Sequence, residues 1–364
     1  MEQDIRTVTV VGVGLIGGSL CAALNRKGVT VHGVSSGETL EKARDMGIIH
    51  RGFEYDRMAE ALKESGMVFV CTPLFDIGDR LQLIFESAER GTIVTDAGST
   101  KAVICARAEQ ESRRGVYFVG GHPMAGSERR GVDHANPYLF YDAVWVLSPL
   151  QSTPKKVIRA LSSLISSLGA NVMVLPPEVH DRIAASVSHL PQLIAVSLIN
   201  YLAEKNDDLF RNLAAGGFRD MTRIASSSYS IWRDIIETNR YEIRQALGDF
   251  QGVLENLLLN LENDHLLEEA FSSAKRERET IPRYSKGFLT PLKDIRVSVR
   301  DRPGELAKIT GIISYHGINV KDIEIVTIRE GEGGILRLGF ALKTEARRAV
   351  EILEGIGYDV TLVE

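Results

Sequence analysis

A glycine-rich segment near the N-terminus constrains the fold of this chain more than any other feature. The β-branched run at residues 7–11 predicts a buried strand, and apolar residues recur at helical spacing through residues 20–27. Between them, Gly12, Gly14 and Gly17 have the spacing GxGxxG. A strand, such a loop and a helix in this order are typical of the first βαβ unit of a dinucleotide-binding domain.

Each glycine has a physical role in that interpretation. Gly12 would make the tight turn, Gly14 would let the backbone approach a pyrophosphate, and Gly17 would let the helix pack on the strand. At Leu15 and Ile16 the helix N-terminus would present free N–H groups to the anion. We therefore predict that these five residues bind a dinucleotide. A glycine-rich turn without a ligand is the alternative.

The end of the second strand leaves the choice of dinucleotide open. Enzymes that use NAD usually carry an acidic residue there, which binds the ribose 2′-hydroxyl. This sequence has Ser35 instead, after the predicted strand at residues 29–34, so a 2′-phosphate would not be repelled. No arginine is adjacent to attract that phosphate. We expect NAD, with NADP as the alternative.

Further strands alternate with helices through residues 1–175. Apolar runs predict these strands at residues 67–71, 92–95, 116–119, 143–147 and 171–175. Such alternation predicts a Rossmann-type α/β domain with a mainly parallel, doubly wound sheet.

Polar residues follow two of these strands at the edge where the glycine loop lies. Thr72 and Pro73 end one strand at the expected height of the cofactor, and Ser99 and Lys101 follow another. Ser99 could instead be an N-cap, and Lys101 could be only a surface charge.

The segment GGHPMAGSE at residues 120–128 places His122 directly after a predicted strand. A histidine that leaves the C-terminal end of a strand points to the edge where α/β folds bind ligands. Its ordinary pKa near neutrality suits it to accept a proton. A histidine that is hydrogen-bonded inside a turn is the alternative.

Residues 176–286 lack strand patterns and predict an all-α domain. Residues 178–204 read as a buried helix, which Pro191 should kink so that His189 could face a pocket or remain in the core. Gly216 and Gly217 should break a later helix. Asp220 and Arg223 follow on one helical face, where the arginine could form a structural ion pair or hold a carboxylate. Helices this apolar indicate a dimer core.

Composition shifts at residues 286–291, which we interpret as a linker to a third domain. Residues 287–364 have the order βαββαβ, which predicts a ferredoxin-like fold. Asp301 fits the N-cap region of its first helix, and Pro303 fits the first turn.

Composition excludes several classes of partner. The formal net charge of −5 gives no indication of a surface that binds nucleic acid. The three cysteines are far apart, so their spacing fits neither a metal site nor a disulfide framework. The polar N-terminus leads into a strand, and we find no uninterrupted apolar run of membrane-spanning length. We expect a cytoplasmic protein without a metal or membrane partner.

Taken together, the motifs resemble the prephenate dehydrogenase family, in the form that carries a C-terminal ACT domain. The resemblance covers nearly the whole chain. It is carried by VGVGLIGGS (residues 11–19), TDAGSTK (95–101), GGHPMAGSE (120–128), VSHLP (187–191), AAGGFRDMTRIASS (214–227) and DRPGELAKI (301–309).

The resemblance implies a reaction and roles for residues. Family members oxidatively decarboxylate prephenate to 4-hydroxyphenylpyruvate and CO2, passing a hydride to NAD(P). His122 matches the family's base, Ser99 matches a serine near that histidine and the nicotinamide, and Arg223 matches the arginine that holds a substrate carboxylate. Other positions match the substrate pocket, namely Ser127, His189, Gly216, Asp220 and Trp232.

The resemblance also implies regulation and assembly. Tyrosine is the expected inhibitor, bound by the ACT domain near Asp301, Pro303, Gly304 and Asn319. We expect a homodimer through the helical domain, and pairing of ACT domains would add higher oligomers. Arogenate dehydrogenase, with the same chemistry, and a non-catalytic amino-acid sensor are the alternatives.

Overall fold

The computed structural model describes residues 6–111, 115–126, 129–280, 292–329 and 333–363. The chain divides into two units, residues 1–272 and 273–364. The predicted boundary at residues 286–287 and its linker lie outside the described residues.

An eight-stranded sheet organises the first unit. Its strands are β1 (Thr7–Val11), β2 (Thr30–Val34), β3 (Arg51–Phe53), β4 (Met67–Val70), β5 (Ile93–Asp96), β6 (Tyr117–Pro123), β7 (Val144–Pro149) and β8 (Asn171–Val174). They are ordered β3-β2-β1-β4-β5-β6-β7-β8, and every neighbouring pair is parallel except β6 and β7. The mainly parallel sheet is therefore confirmed, while the three-residue strand β3 is too short for a sequence pattern to predict.

Helices cover both faces of this sheet, because its central strands are apolar on both sides. The helices are α1 (Leu15–Arg26), α2 (Gly37–Asp45), α3 (Met58–Leu62), α4 (Leu74–Ser87), α5 (Ala102–Glu111) and α6 (Lys155–Ser167). One core packs α1, α2 and α6 against the sheet, and the other packs α3, α4 and α5. Two separate cores confirm the doubly wound arrangement.

Strand β6 is longer than predicted. The sequence predicted a strand that ended at Val119, with His122 after its C-terminal end. In the structure β7 extends the ladder, so that His122 pairs with Val146 inside the sheet. The strand passes close to its neighbour there, since a Cβ on Gly121 would overlap the backbone oxygen of Asp96. Glycine is required for this approach.

Seven helices follow in the described part of the helical region. They are α7 (Pro177–Ala184), α8 (Leu190–Glu204), α9 (Asp208–Asn212), α10 (Gly216–Thr222), α11 (Tyr229–Thr238), α12 (Arg240–Leu259) and α13 (Asp264–Thr280). A π-helical turn at Ala185–His189 joins α7 to α8. Pro191 explains it, because proline cannot donate to the carbonyl four residues earlier, on Val187.

Two predictions about this region were wrong. Residues 190–204 do not form a buried helix in the single chain, where only Gln192 and Ala195 of α8 are buried. The apolar side chains of α8 instead line an exposed groove. Gly216 and Gly217 begin α10 rather than break a helix, with Ala215 in extended conformation as the N-cap.

The second unit confirms the ferredoxin-like order βαββαβ. Its elements are β9 (Lys293–Val299), α14 (Glu305–Tyr315), β10 (Asp322–Arg329), β11 (Gly333–Phe340), α15 (Lys343–Gly355) and β12 (Val360–Leu362). The strands form an antiparallel sheet in the order β10-β11-β9-β12. The N-cap of α14 is Gly304, at φ +88°. Asp301 and Pro303 therefore precede the helix and do not occupy its cap and first turn as predicted.

Candidate active site

The glycine loop between β1 and α1 has the geometry of a dinucleotide cradle. Gly12 has φ +91°, and a Cβ there would lie 2.7 Å from the backbone nitrogen of Thr72. A Cβ on Gly17 would overlap the carbonyl oxygen of Gly12. A Cβ on Gly14, in contrast, would meet no atom within 4 Å. Packing therefore requires two of these glycines, while Gly14 leaves open space at a helix N-terminus, as a bound pyrophosphate needs.

The other predicted cofactor residues lie around this loop. The backbone N–H of Gly12 donates to the carbonyl of Val34, the residue before Ser35, over 2.8 Å. Ser35 is buried, and Leu15 and Ile16 are half-buried at the start of α1. Pro73 is the exposed N-cap of α4. The structure thus brings together the ends of β1, β2 and β4, as predicted.

A buried ion pair fixes the next loop against the histidine strand. The Lys101 ammonium bonds the Asp96 carboxylate and donates to the carbonyl of Gly121 over 2.7 Å. The Asp96 carboxylate also accepts from the backbone N–H of Gly121, over 2.9 Å. Lys101 is fully buried, so its interpretation as a surface charge was wrong. Half-buried Ser99 lies in this loop, which is anchored to the residue before His122.

His122 begins a chain of hydrogen bonds that ends in a carboxylate. Its Nδ1 lies 2.8 Å from Nε2 of His180, and Nδ1 of His180 lies 2.8 Å from Oδ1 of Asp181. Both His180 and Asp181 come from α7 and are buried. Asp181 also accepts from the backbone N–H groups of Lys101 and Ala102, over 2.7 and 2.9 Å. These bonds cap α5.

Burial disfavours the charged forms of His122 and His189. It lowers the pKa of His122 well below its ordinary value, and the nearby His180, Lys101 and His189 lower that pKa further. Burial also lowers the pKa of His189 to about 4, although Asp181 partly offsets the shift and His180 adds to it. A neutral imidazole that remains partly accessible, as His122 does, can accept a proton.

His189 lies in the same network. The side-chain amide of Asn239 is 3.3 Å from its Nδ1 and donates to the backbone carbonyl of Asp181 over 2.8 Å. The ring of Trp232 packs against His189 edge to face, at 5.9 Å between centroids. Two predicted pocket residues are therefore brought together and linked to Asp181.

Other predicted site residues are not brought into that network. Gly216, Asp220 and Arg223 are exposed on α10 and the 3-10 turn that follows it. No hydrogen bond or ion pair within the described ranges links them to His122. Ser127 lies outside the described residues. In the second unit Asp301, Pro303, Gly304 and Asn319 are all exposed.

Sequence reasoning missed His180, Asp181 and Asn239. The available signal was an adjacent histidine and aspartate in the first turns of a helix that begins at Pro177. Adjacent residues on a helix do not point in one direction, so the pattern did not suggest a joint role.

A dinucleotide cradle and a buried histidine at the same edge of a mainly parallel sheet are typical of an NAD-binding oxidoreductase of the Rossmann class. Three family models match the chain: "Prephenate dehydrogenase, nucleotide-binding domain" at residues 20–174, "Prephenate dehydrogenase, dimerization domain" at residues 176–271, and "ACT domain" at residues 293–354. The prephenate dehydrogenase of Bacillus subtilis is 34% identical over 97% of this chain and 97% of its own length. The chain belongs to the prephenate dehydrogenase family.

Two solved structures share this fold. Arogenate dehydrogenase from Synechocystis is 31% identical, covers 75% of this chain and 99% of its own, and has a TM-score of 0.68. Prephenate dehydrogenase from A. aeolicus, in complex with hydroxyphenyl propionate and NAD+, is 29% identical over 77% and 99%, with a TM-score of 0.70. Together with the nucleotide-binding domain, that complex supports NAD as the cofactor.

Among the described residues, one helical run is long and apolar enough to cross a membrane, although we found no uninterrupted apolar run in the sequence. It spans Pro177–Glu204, and 28% of its most apolar window is buried. A single such helix is weak evidence, because helices at the core of soluble proteins pass the same test. The run lies within the matched dimerization domain.

Proposed function

We propose that this chain is an NAD-dependent prephenate dehydrogenase. It would convert prephenate to 4-hydroxyphenylpyruvate and CO2. The observation that carries the proposal is His122, a histidine on β6 whose pKa is lowered by burial. Because β6 runs parallel to β5, it ends at the same sheet edge as the glycine loop. Family membership supplies the reaction that a base at this position would serve.

Each residue of the site would have a separate role in this reaction. His122 accepts the proton of the 4-hydroxyl at Nε2, because its Nδ1 is bonded to His180. Loss of that proton helps the ring lose its hydride and carboxylate and become aromatic. Ser99, on the loop anchored to Gly121, orients the hydroxyl, and His189 and Trp232 form a pocket wall. NAD, when bound, supplies the hydride acceptor.

Arg223 would hold a substrate carboxylate. A guanidinium can grip a carboxylate with two parallel hydrogen bonds, and prephenate carries two carboxylates. Arg223, Asp220 and Gly216 are exposed in the single chain. A pocket that includes them would be completed by substrate or by the second subunit of a homodimer.

A carboxylate near the end of β2 favours NAD over NADP. Ser35 itself carries no charge, but Glu54, just after β3, places Oε1 3.3 Å from the Cβ position of Gly37. The pocket there is lined by three carboxylates, Glu41, Glu54 and Asp56, and by two guanidiniums, Arg44 and Arg57. Arg57 donates to Glu60 over 2.9 and 2.7 Å. Negative charge here would repel a 2′-phosphate.

The helical region would form the homodimer, and the ACT domain would bind tyrosine near Asp301, Pro303, Gly304 and Asn319. Tyrosine would inhibit by binding an inactive arrangement of the enzyme more tightly. ACT pairing would add higher oligomers, and the enzyme would act in the cytoplasm.

Arogenate dehydrogenase is the second candidate function. The Synechocystis arogenate dehydrogenase is 31% identical to this chain, and the prephenate dehydrogenase of Bacillus subtilis is 34% identical.

An initial-rate matrix tests these proposals: prephenate or arogenate, with NAD or NADP, with and without tyrosine. We expect reduced cofactor with prephenate and NAD, and slower turnover when tyrosine is added. Activity with arogenate alone would favour the second candidate. Tyrosine binding without cofactor reduction on either substrate would indicate a non-catalytic sensor.

A further inference from the structure

Two buried side chains, His180 and Asp181, form a hydrogen-bonded chain to the ring of His122, and neither of them takes the proton in the proposed reaction. His180 and Asp181 are each 2% exposed. His180 connects α7 to His122 on β6 over 2.8 Å, and its Nδ1 lies 2.8 Å from Oδ1 of Asp181. Asp181 also caps α5 through the backbone N–H groups of Lys101 and Ala102. Its carboxylate is therefore held by three donors on two elements.

These contacts determine where the protons lie. The Asp181 carboxylate only accepts hydrogen bonds, so Nδ1 of His180 must donate to it. In a neutral His180 the other nitrogen, Nε2, then carries a lone pair, and Nδ1 of His122 must donate to it. The lone pair of His122 is thereby placed on Nε2, the nitrogen that has no hydrogen bond within the described part of the chain.

We propose that His180, oriented by Asp181, is a positioning residue that fixes the tautomer of His122. The inference rests on the proposed function, in which His122 is the base. When Nε2 of His122 takes the hydroxyl proton, the O–H bond breaks, its electron pair stays on oxygen, and an N–H bond forms. Throughout this transfer Nδ1–H of His122 stays donated to His180, so that Nε2 is the nitrogen that takes the proton.

The other titratable groups around His122 do not supply this hydrogen-bond acceptor. Lys101, on the loop before α5, opposes a positive charge on His122, and Asp96 already bonds that ammonium. His189, from the π-helical turn, also opposes protonation. Within the described residues, His180 is the hydrogen-bond acceptor that reaches the ring of His122.

Substitution of His180 tests the role. His180→Leu removes the acceptor, whereas His180→Gln keeps a side-chain oxygen that can accept Nδ1–H. We expect kcat to fall about a hundredfold in His180→Leu, with KM for prephenate and NAD within about threefold. His180→Gln should recover part of the loss. His32→Gln, at a buried histidine on β2 outside the site, is the matched control and should keep kcat.

The combination with His122→Asn separates positioning from a structural effect. His122→Asn alone should cut turnover by orders of magnitude with prephenate affinity nearly intact. Because His180 acts through His122, the double variant should turn over no more slowly than His122→Asn. Thermal midpoints of all variants show which of them fold. A double variant that loses a further hundredfold would make His180 structural and overturn the inference.

The outcomes also separate the two proposals. If His122→Asn loses turnover but folded His180→Leu stays within threefold of the wild type, the base assignment stands and the positioning role is overturned. If His122→Asn keeps normal turnover, the base assignment fails, and the role of His180 fails with it.

Discussion

At the scale of single residues, burial decides the chemistry of His122. Taking an imidazole out of water disfavours its charged form, and the neighbouring Lys101, His180 and His189 act in the same direction. Nearby carboxylates would raise the pKa, but Asp96 bonds Lys101 and Asp181 bonds His180. The residue is therefore neutral over a wider range of pH than an exposed histidine.

This shift predicts the acid limb of the pH–rate profile. Protonated His122 cannot accept a proton, so activity is lost as pH falls through its pKa in the folded enzyme. Because that pKa is lowered from 6.5, kcat/KM should remain on its plateau at pH 6.5 and fall only below it. Initial rates from pH 5 upward check this. An inflection above pH 6.5 would contradict the assignment.

Arg223 offers a residue-scale test of substrate binding. Arg223→Ala should raise the dissociation constant for prephenate about 30-fold or more, because removing one partner of a desolvated ion pair costs roughly 2–5 kcal/mol. Arg219→Ala, on α10 just before the 3-10 turn that holds Arg223 and also exposed, should have little effect. Equal affinities for the two variants would show that Arg223 does not hold the substrate.

At the scale of elements, close backbone contacts explain several glycines better than turn propensity does. Gly17 packs α1 directly on the loop that leaves β1, and Gly121 lets β6 approach β5. Gly14 faces open space. Two glycines of one motif therefore differ: packing requires Gly17 but does not require Gly14, for which we propose a role in binding.

A matched pair of substitutions separates these contributions. Gly17→Ala should lower the free energy of unfolding by roughly 1–3 kcal/mol or more, since the new Cβ overlaps backbone. Gly14→Ala should leave the thermal midpoint nearly unchanged but weaken NAD binding about tenfold or more, because its Cβ would fill the space of the pyrophosphate. Thermal denaturation and NAD titration check both. A stable Gly17→Ala would refute the packing argument.

At the scale of the whole molecule, α8 and α12 leave an apolar groove of about 750 Å³ in the single chain. It is lined in part by Leu198, Tyr201, Leu247 and Leu254. Large exposed apolar surfaces usually mark an interface. The residues that line this groove all lie within residues 176–271, the range that matches the dimerization domain. A second subunit is therefore the expected partner of the groove.

A charge in the groove should therefore prevent dimerization. Leu254 is 49% exposed, and Met46, at the end of α2, is similarly exposed at 42%. Leu254→Glu should sediment as a monomer, because dimerization would bury an unpaired carboxylate. Met46→Glu should retain the assembly of the wild type. A dimeric Leu254→Glu would place the interface elsewhere.

Much of the fold followed from local sequence patterns. The β-branched run at residues 7–11 and the glycines after it predicted β1, its turn and α1, because all of the necessary residues are neighbours in the chain. The order βαββαβ of residues 287–364 could be predicted for the same reason. The predicted positions of Thr72 and Ser99 followed from topology alone, since parallel strands end at one edge of the sheet.

The sequence by itself therefore determined the layers, the cofactor edge and His122 as a candidate base. Only the tertiary structure decided how that histidine is held. The pairing of β6 with β7, the burial of Lys101 on Asp96 and the chain from His122 to Asp181 depend on the packing of separate elements. His122 and His180 are 58 positions apart, and Lys101 and Asp181 are 80 apart. Local periodicity carries no information about such pairs, because it reports which face a residue occupies and not which partner it meets.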